Sequence, residues 1–117
     1  MLPPSIGDRK QIIYEILRTH VGPARAITAR RIGEMVGIPE RAVRALIEDL
    51  ILEDGHGEIC ATVGHPPGYF WASCAEDARE YHTVLRARAL NILRRRRACR
   101  HAINRLPTTR PRQPVLL

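Results

Sequence analysis

The sequence predicts a mainly α-helical chain with a small β-hairpin and a long C-terminal helix, and three stretches carry that prediction. Residues 28–51 read as two short amphipathic helices joined by a break at Gly37-Ile38-Pro39. Residues 58–72 hold two short apolar runs on either side of the loop Gly64-His65-Pro66-Pro67-Gly68. Residues 74–104 contain neither proline nor glycine and repeat apolar side chains every seventh position.

In chain order, Ser5 with Asp8 three positions on is a helix-start pattern. Ile12, Ile13, Ile16 and Leu17 then recur with helical spacing between about Ile6 and His20, so their face is expected to cover the two helices that follow. Met1 to Pro4 reads as a frayed end, and Gly22-Pro23 stops the helix. Thr28 is placed to cap the second helix, in which Ile32, Met35 and Val36 share one face and Arg30, Arg31 and Glu34 the other. Gly37 can take the positive φ that ends a helix, and Pro39 fits at or just before the first turn of the next. In that third helix Val43, Leu46, Ile47 and Leu50 line one face, and Arg41, Arg44, Ala45 and Glu48 the opposite one. Helices joined in this way bury their apolar faces together and leave an arginine-bearing face outside, which is a helix-turn-helix.

The run Ile32-Gly33, three residues, Gly37-Ile38-Pro39, three residues, Val43-Arg44-Ala45-Leu46 resembles bacterial and phage helix-turn-helix domains. In those a small residue four before the turn glycine lets the helices touch. With Asp54-Gly55, Glu58 to Ala61, the Gly64 to Gly68 loop and Tyr69-Phe70-Trp71-Ala72, residues 6 to 72 are similar to the winged-helix domain of biotin-repressor-type regulators, where a glycine-tyrosine pair opens the last strand. The resemblance implies a fold that is mainly α with a small β-wing, a winged helix-turn-helix followed by a long C-terminal helix. It also implies that Arg25-Ala26-Ile27 forms a one-bridge strand at the sheet edge. Proline stands where serine or threonine often caps the recognition helix, and no ligase domain follows in these 117 residues, so biotin chemistry is not implied. Ile59 and Ala61 against Phe70 and Ala72 give alternating apolar positions on the two strands. Tyr69, Phe70 and Trp71 read better as core than as base-stacking groups, since aromatics on short strands of a small domain usually pack on its helices.

Ser73 with Glu76 suggests a capping box opening a helix from Cys74 to near Asn104, ended by Pro107. Ala78, Leu85, Ile92, Cys99 and Leu106 recur every seven residues, flanked by Tyr81, Ala89 and Ile103, while Leu90 and Leu93 form a second, shorter stripe. A three-helix domain cannot easily cover both stripes. The expectation is that Leu85, Ala89, Ile92 and Cys99 pack on another chain, most simply a second copy in a homodimer; the alternative is an intrachain core followed by a solvated basic end. The division expected is a domain at 1–72, a long helix at 73–106 and a disordered basic arm at 107–117.

Charge is distributed unevenly. Residues 1–80 hold nine Arg or Lys and all twelve Asp or Glu, a balance of −3, whereas residues 81–117 hold ten arginines and no acid. All the basic side chains but Lys10 are arginine, which suits bidentate contact with phosphates and base edges. An anionic polymer is the natural partner. Arg94, Arg95, Arg96, Arg97 and Arg100 are candidates for sequence-independent phosphate contact, as are Arg30 and Arg31 at the start of the second helix; the bland reading of the tail is a solubilising end. Arg41 and Arg44 can reach guanine edges from the third helix, Glu40 can accept from cytosine, and His65 on the wing can touch the minor groove or backbone. The rival is a protein-docking winged helix whose tail binds RNA or an acidic partner, since Glu40, Glu48 and Asp49 sit among those arginines and Glu48 is spaced to occupy Arg44.

Other chemistry has little support. Cys60, His65, Cys74 and His82 match no compact zinc spacing, no glycine-rich phosphate loop is present, and no cysteine has an activating neighbour in sequence. The expectation is a DNA-binding protein that is not an enzyme, with no metal, cofactor or small-molecule substrate. Three cysteines without framework spacing and a start without an apolar signal core point to a cytoplasmic protein, and no stretch is apolar enough for a membrane span.

Overall fold

The Ser5 hydroxyl accepts from the Asp8 amide while the Asp8 carboxylate accepts from the Ser5 amide, each at 3.2 Å, and this reciprocal cap opens helix α1, Ile6–Thr19. The computed structural model describes residues 5–64 and 66–112. After α1 come a single 3-10 turn at Pro23–Arg25, α2 at Ala29–Val36, α3 at Glu40–Leu52, strands β1 at Ile59–Ala61 and β2 at Tyr69–Trp71, and the long helix α4 at Ala75–Arg105. The arrangement is mainly helical with a small, open, two-stranded antiparallel wing, and is compatible with a winged-helix-type domain in general.

Thr28 caps α2 as its position predicts, its hydroxyl accepting from the Arg31 amide at 3.1 Å. Ile13 and Leu17 of α1, Ile32 of α2, Val43, Ile47 and Leu50 of α3 and Ile59 of β1 form one buried cluster. Met35, expected on the apolar face of α2, is half exposed. The stripe that packs is Ala29, Ile32, Gly33 and Val36, spaced i, i+3, i+4 and i+7, and Met35 falls on its flank.

The hairpin register differs from the expected alternation. Ile59 faces Trp71, Cys60 faces Phe70 and Ala61 faces Tyr69. Ile59, Tyr69 and Trp71 turn toward the helical core, while Cys60 and Phe70 are buried on the opposite face of the strands. The first turns of α4 lie over that second face, where Phe70, Asp77, Glu80 and Tyr81 line a common cleft. A hairpin covered on both sides has no polar alternation to read.

The other edge of β2 is also paired. The Ile27 and Tyr69 amides each donate to the other's carbonyl at 2.8 Å, so of the one-bridge strand expected over Arg25-Ala26-Ile27 only Ile27 pairs, while Arg25 ends the 3-10 turn that Pro23 begins. The Trp71 amide donates to the His20 carbonyl and the Gly22 amide to the Trp71 carbonyl, both at 2.8 Å, adding a parallel bridge that sequence reasoning did not anticipate.

The chain divides into two units, Met1–Thr83 and Val84–Leu117. In the first unit α4 does not start with the expected Ser73–Glu76 box. The Asp77 carboxylate instead accepts from the Ser73 amide at 2.9 Å and from the Ser73 hydroxyl at 2.5 Å, and Glu76 pairs with Arg79. In the second unit the helix continues to Arg105 and ends ahead of Pro107 as expected, and none of its described residues is buried. Among the described residues no helix is long and apolar enough to cross a membrane.

Candidate nucleic-acid interface

The corner between α2 and α3 begins with contact between backbones. The Gly37 and Ile38 amides both donate to the Gly33 carbonyl, at 2.7 and 3.1 Å, and Gly37 takes φ 81°, so α2 ends in a left-handed cap. A Cβ on Gly33 would stand 2.6 Å from the Ile38 carbonyl oxygen, which explains why a small residue is needed four positions before the turn glycine. Pro39 is the N-cap residue of α3 and offers no side-chain hydrogen bond; its carbonyl accepts from the Ala42 and Val43 amides.

With Val43, Ile47 and Leu50 fixed in the core, α3 presents Arg41, Arg44, Ala45, Glu48 and Asp49 to solvent. Arg44 Nη2 donates to Glu40 Oε1 at 2.6 Å, so the carboxylate that occupies it is Glu40 and not Glu48. On α2, Arg30 and Arg31 converge on Glu34 at 3.6 and 3.3 Å, and Thr28 already takes the Arg31 amide. Arg41 makes no ion pair among the described residues, which sets it apart from Arg30, Arg31 and Arg44. These pairs are exposed and individually weak, worth roughly 0.3–0.5 kcal/mol at helical spacing, so a phosphate or a base can displace them. His65 lies outside the described residues, and so does the end of the arm beyond Arg112.

In the second unit Arg94, Arg95, Arg96, Arg97 and Arg100 are all exposed. Successive residues turn by about 100°, so four in a row ring the helix. Arg94 reaches the Asn91 side chain at 3.5 Å and Arg105 the His101 carbonyl at 3.4 Å. Leu85, Ala89, Ile92 and Cys99, the proposed seam, are exposed on the same segment.

An aromatic cluster on the first unit escaped the sequence reading. The rings of Tyr14 and His56 are 4.6 Å apart, Trp71 stands edge-on to Tyr14 at 5.8 Å, and the Arg18 guanidinium lies 5.4 Å from the Tyr14 ring. It ties α1, the loop after α3 and β2 together beside a Lys10–Asp54 ion pair at 2.8 Å. Phe70 is buried, and Tyr69 and Trp71 pack against the core, so the expected packing role of these three aromatics holds.

The thiols divide by burial. Cys60 is enclosed, and burial pushes its pKa up, with the Asp77 and Glu58 carboxylates adding to the rise, which is the reverse of what a nucleophile needs. Cys74 and Cys99 are exposed and free. Among the described residues no group of three or more His, Cys, Asp or Glu side chains is placed to hold a metal ion. No protein-family model matches the chain, no curated protein matches it, and no solved structure matches it, so its function has to be read from its own residues.

Proposed function

We propose that this chain is a small double-stranded-DNA-binding protein, a transcriptional regulator or a phage-type replication or packaging accessory. It lays α3 in the major groove and contacts phosphates with its arginine-rich tail. Arg41 and Arg44 read base edges, Glu40 accepts from cytosine, Arg30 and Arg31 hold the backbone, His65 touches the minor groove or backbone, and Arg94 to Arg97 with Arg100 supply sequence-independent affinity. The protein acts by binding, without a catalytic step, metal or cofactor. Its three free cysteines suit a reducing compartment.

The observation that carries this reading is the pair Arg41 and Arg44, exposed three residues apart on a helix whose opposite face is locked in the core by Val43, Ile47 and Leu50. Such a helix offers its outer face as a rigid unit. The acids Glu48 and Asp49 lie toward its C-terminal half, the end that usually points out of the groove. Binding to random and selected duplexes over a range of salt concentrations is the test. The expected result is a steep fall of log K with log salt on both, and affinity for the selected duplex at least about a thousand-fold above random. A shallow slope with no selected sequence would end the DNA reading.

One observation favours a second reading, a docking winged helix whose tail binds RNA or an acidic partner. Carboxylates already hold Arg30, Arg31 and Arg44, and residues 1–80 carry a net −3. Substitution of Arg41 and Arg44 separates the two, because only the DNA reading makes duplex selectivity depend on them.

A further inference from the structure

We propose that the helical segment 84–105 docks an acidic amphipathic helix of a different protein, a partner with apolar residues at heptad spacing bordered by Asp or Glu. The inference does not depend on whether α3 reads DNA. Leu85, Ile92 and Ile103 are between 44 and 67% exposed, and Cys99 is exposed between them. At about 100° per residue, Leu85, Ile92, Cys99 and Ile103 fall within an arc of about 40°, with Arg88 and Arg95 bordering it on one side and Arg96 on the other. The result is a seam one side chain wide along a helix about 33 Å long.

The width of the seam and the sign of its borders select the occupant. A second copy brings the same borders: no Asp or Glu occurs from residue 81 onward, so Arg88, Arg95 and Arg96 of one copy would meet only cations in the same segment of the other, whether the pair ran parallel or antiparallel. Nucleic acid can satisfy the arginines but leaves Leu85, Ile92 and Ile103 in water. An anionic bilayer favours a helix with one broad apolar face, and here Arg96 and Arg100 separate the row from the second exposed stripe, Leu90 and Leu93. A helix carrying apolar residues at its own heptad positions with carboxylates beside them covers the row and neutralises its borders together. Arg94, Arg97 and Arg105 lie on the far side of the segment, away from the seam.

The test titrates the full chain into a fluorescent synthetic peptide of about four heptads, with leucine at the two seam positions and glutamate at the two bordering ones. A scrambled peptide of the same composition is the control. The expected result is saturable binding of the heptad peptide, at least about ten-fold weaker binding of the scrambled one, and a loss of about ten-fold or more in Leu85→Ser and Ile92→Ser with an unchanged circular dichroism spectrum. Equal affinity for both peptides would reduce the segment to a polyanion contact, and absence of binding would remove the proposal outright. Sedimentation of the wild-type chain as a dimer at micromolar concentration, reverting to monomer in Ile92→Ser, would make a second copy the occupant instead. Ile92-dependent binding to phosphatidylcholine–phosphatidylglycerol vesicles without peptide binding would make it a lipid surface.

Discussion

Arg44 Nη2 and Glu40 Oε1 lie 2.6 Å apart on the exposed face of α3, one helical turn from each other, so an arginine proposed to read bases is held by a carboxylate of its own helix. That contact makes Glu40 a competitor for the DNA as well as a candidate base reader. In Glu40→Gln the guanidinium is released and a negative charge leaves the interface, while the amide side chain can still make a neutral hydrogen bond. Affinity for random duplexes, in which no cytosine is placed for Glu40, should rise by about two- to five-fold, the equivalent of roughly 0.4–1 kcal/mol. Stability should fall by a few tenths of a kcal/mol, because Glu40 is the acid in the first turn of α3. Tighter binding by a slightly less stable protein cannot come from general stabilisation. Unchanged or weaker affinity for random duplexes would mean that Arg44 does not face the duplex.

Arg41 has no such competitor, and the two arginines should therefore respond unequally. Arg41→Ala should cost about 1–3 kcal/mol of discrimination between selected and random duplexes, and Arg44→Ala less, since part of its contact energy offsets the broken pair with Glu40. Competition titrations on both duplexes measure this directly. If both variants keep the full ratio of selected to random affinity, α3 is not the reader and the docking reading leads.

Two glycines hold the α2–α3 corner and the edge of the wing, each through a close approach of backbones. At Gly68 a Cβ would stand 2.4 Å from the Ile27 carbonyl oxygen, and φ is 133°. Alanine there must push apart the Ile27–Tyr69 bridge, and Gly68→Ala should lose about 2–4 kcal/mol. Gly33→Ala gains about 1 kcal/mol of helix propensity but meets the Ile38 carbonyl at 2.6 Å, so a net loss of about 1–2 kcal/mol is expected. Gly64, where a Cβ would meet nothing within 4 Å, is the control, and its alanine variant should stay within about 0.5 kcal/mol of wild type in urea unfolding. A neutral Gly68→Ala would contradict the close approach of β2 to residue 27.

The caps and breaks were legible in the sequence because each rests on one residue with one local job: Ser5, Thr28, Gly37 and Pro107 do what their chemistry dictates wherever the chain goes next. The hairpin register was not. Cys60 and Ala61 are both small and apolar, so alternation could not tell which of them faced the helices, and nothing local announced that α4 would cover the other face. Around Arg44 the sequence offers Glu40 and Glu48 at equal spacing. The preference for an acid on the N-terminal side of its cation was the available signal, and it favours Glu40. The contact of Tyr14 with His56 joins residues 42 positions apart through tertiary packing, for which no sequence periodicity exists.

Thiol reactivity offers an independent check on the covered hairpin. Cys60 is buried beside Asp77 and Glu58 and its pKa is raised, whereas Cys74 and Cys99 are exposed. Under native conditions an alkylating reagent should modify two thiols quickly and the third only at the rate at which the hairpin opens, with denaturant bringing all three to similar rates. Three equally fast thiols would mean that the first turns of α4 do not cover β1.

The start of α4 supplies a pH dependence with a definite sign. Hydrogen bonds from the Ser73 hydroxyl and then the Ser73 amide, with a further one from the Cys74 amide, hold the Asp77 carboxyl below its usual range. A group whose pKa is lowered in the folded state stabilises the fold above its unfolded pKa of about 4 and loses that contribution as pH falls through the folded value. Asp77→Asn should therefore be less stable than wild type at neutral pH, and the gap between them should close as the pH drops below about 4. Urea unfolding from neutral to acid pH measures the gap, and Ser73→Ala should narrow it in the same window by removing the hydroxyl donor. A gap that stays constant down to acid pH would show that Asp77 acts through its shape rather than its charge, and the anchoring of α4 over Cys60 and Phe70 would then rest on packing alone.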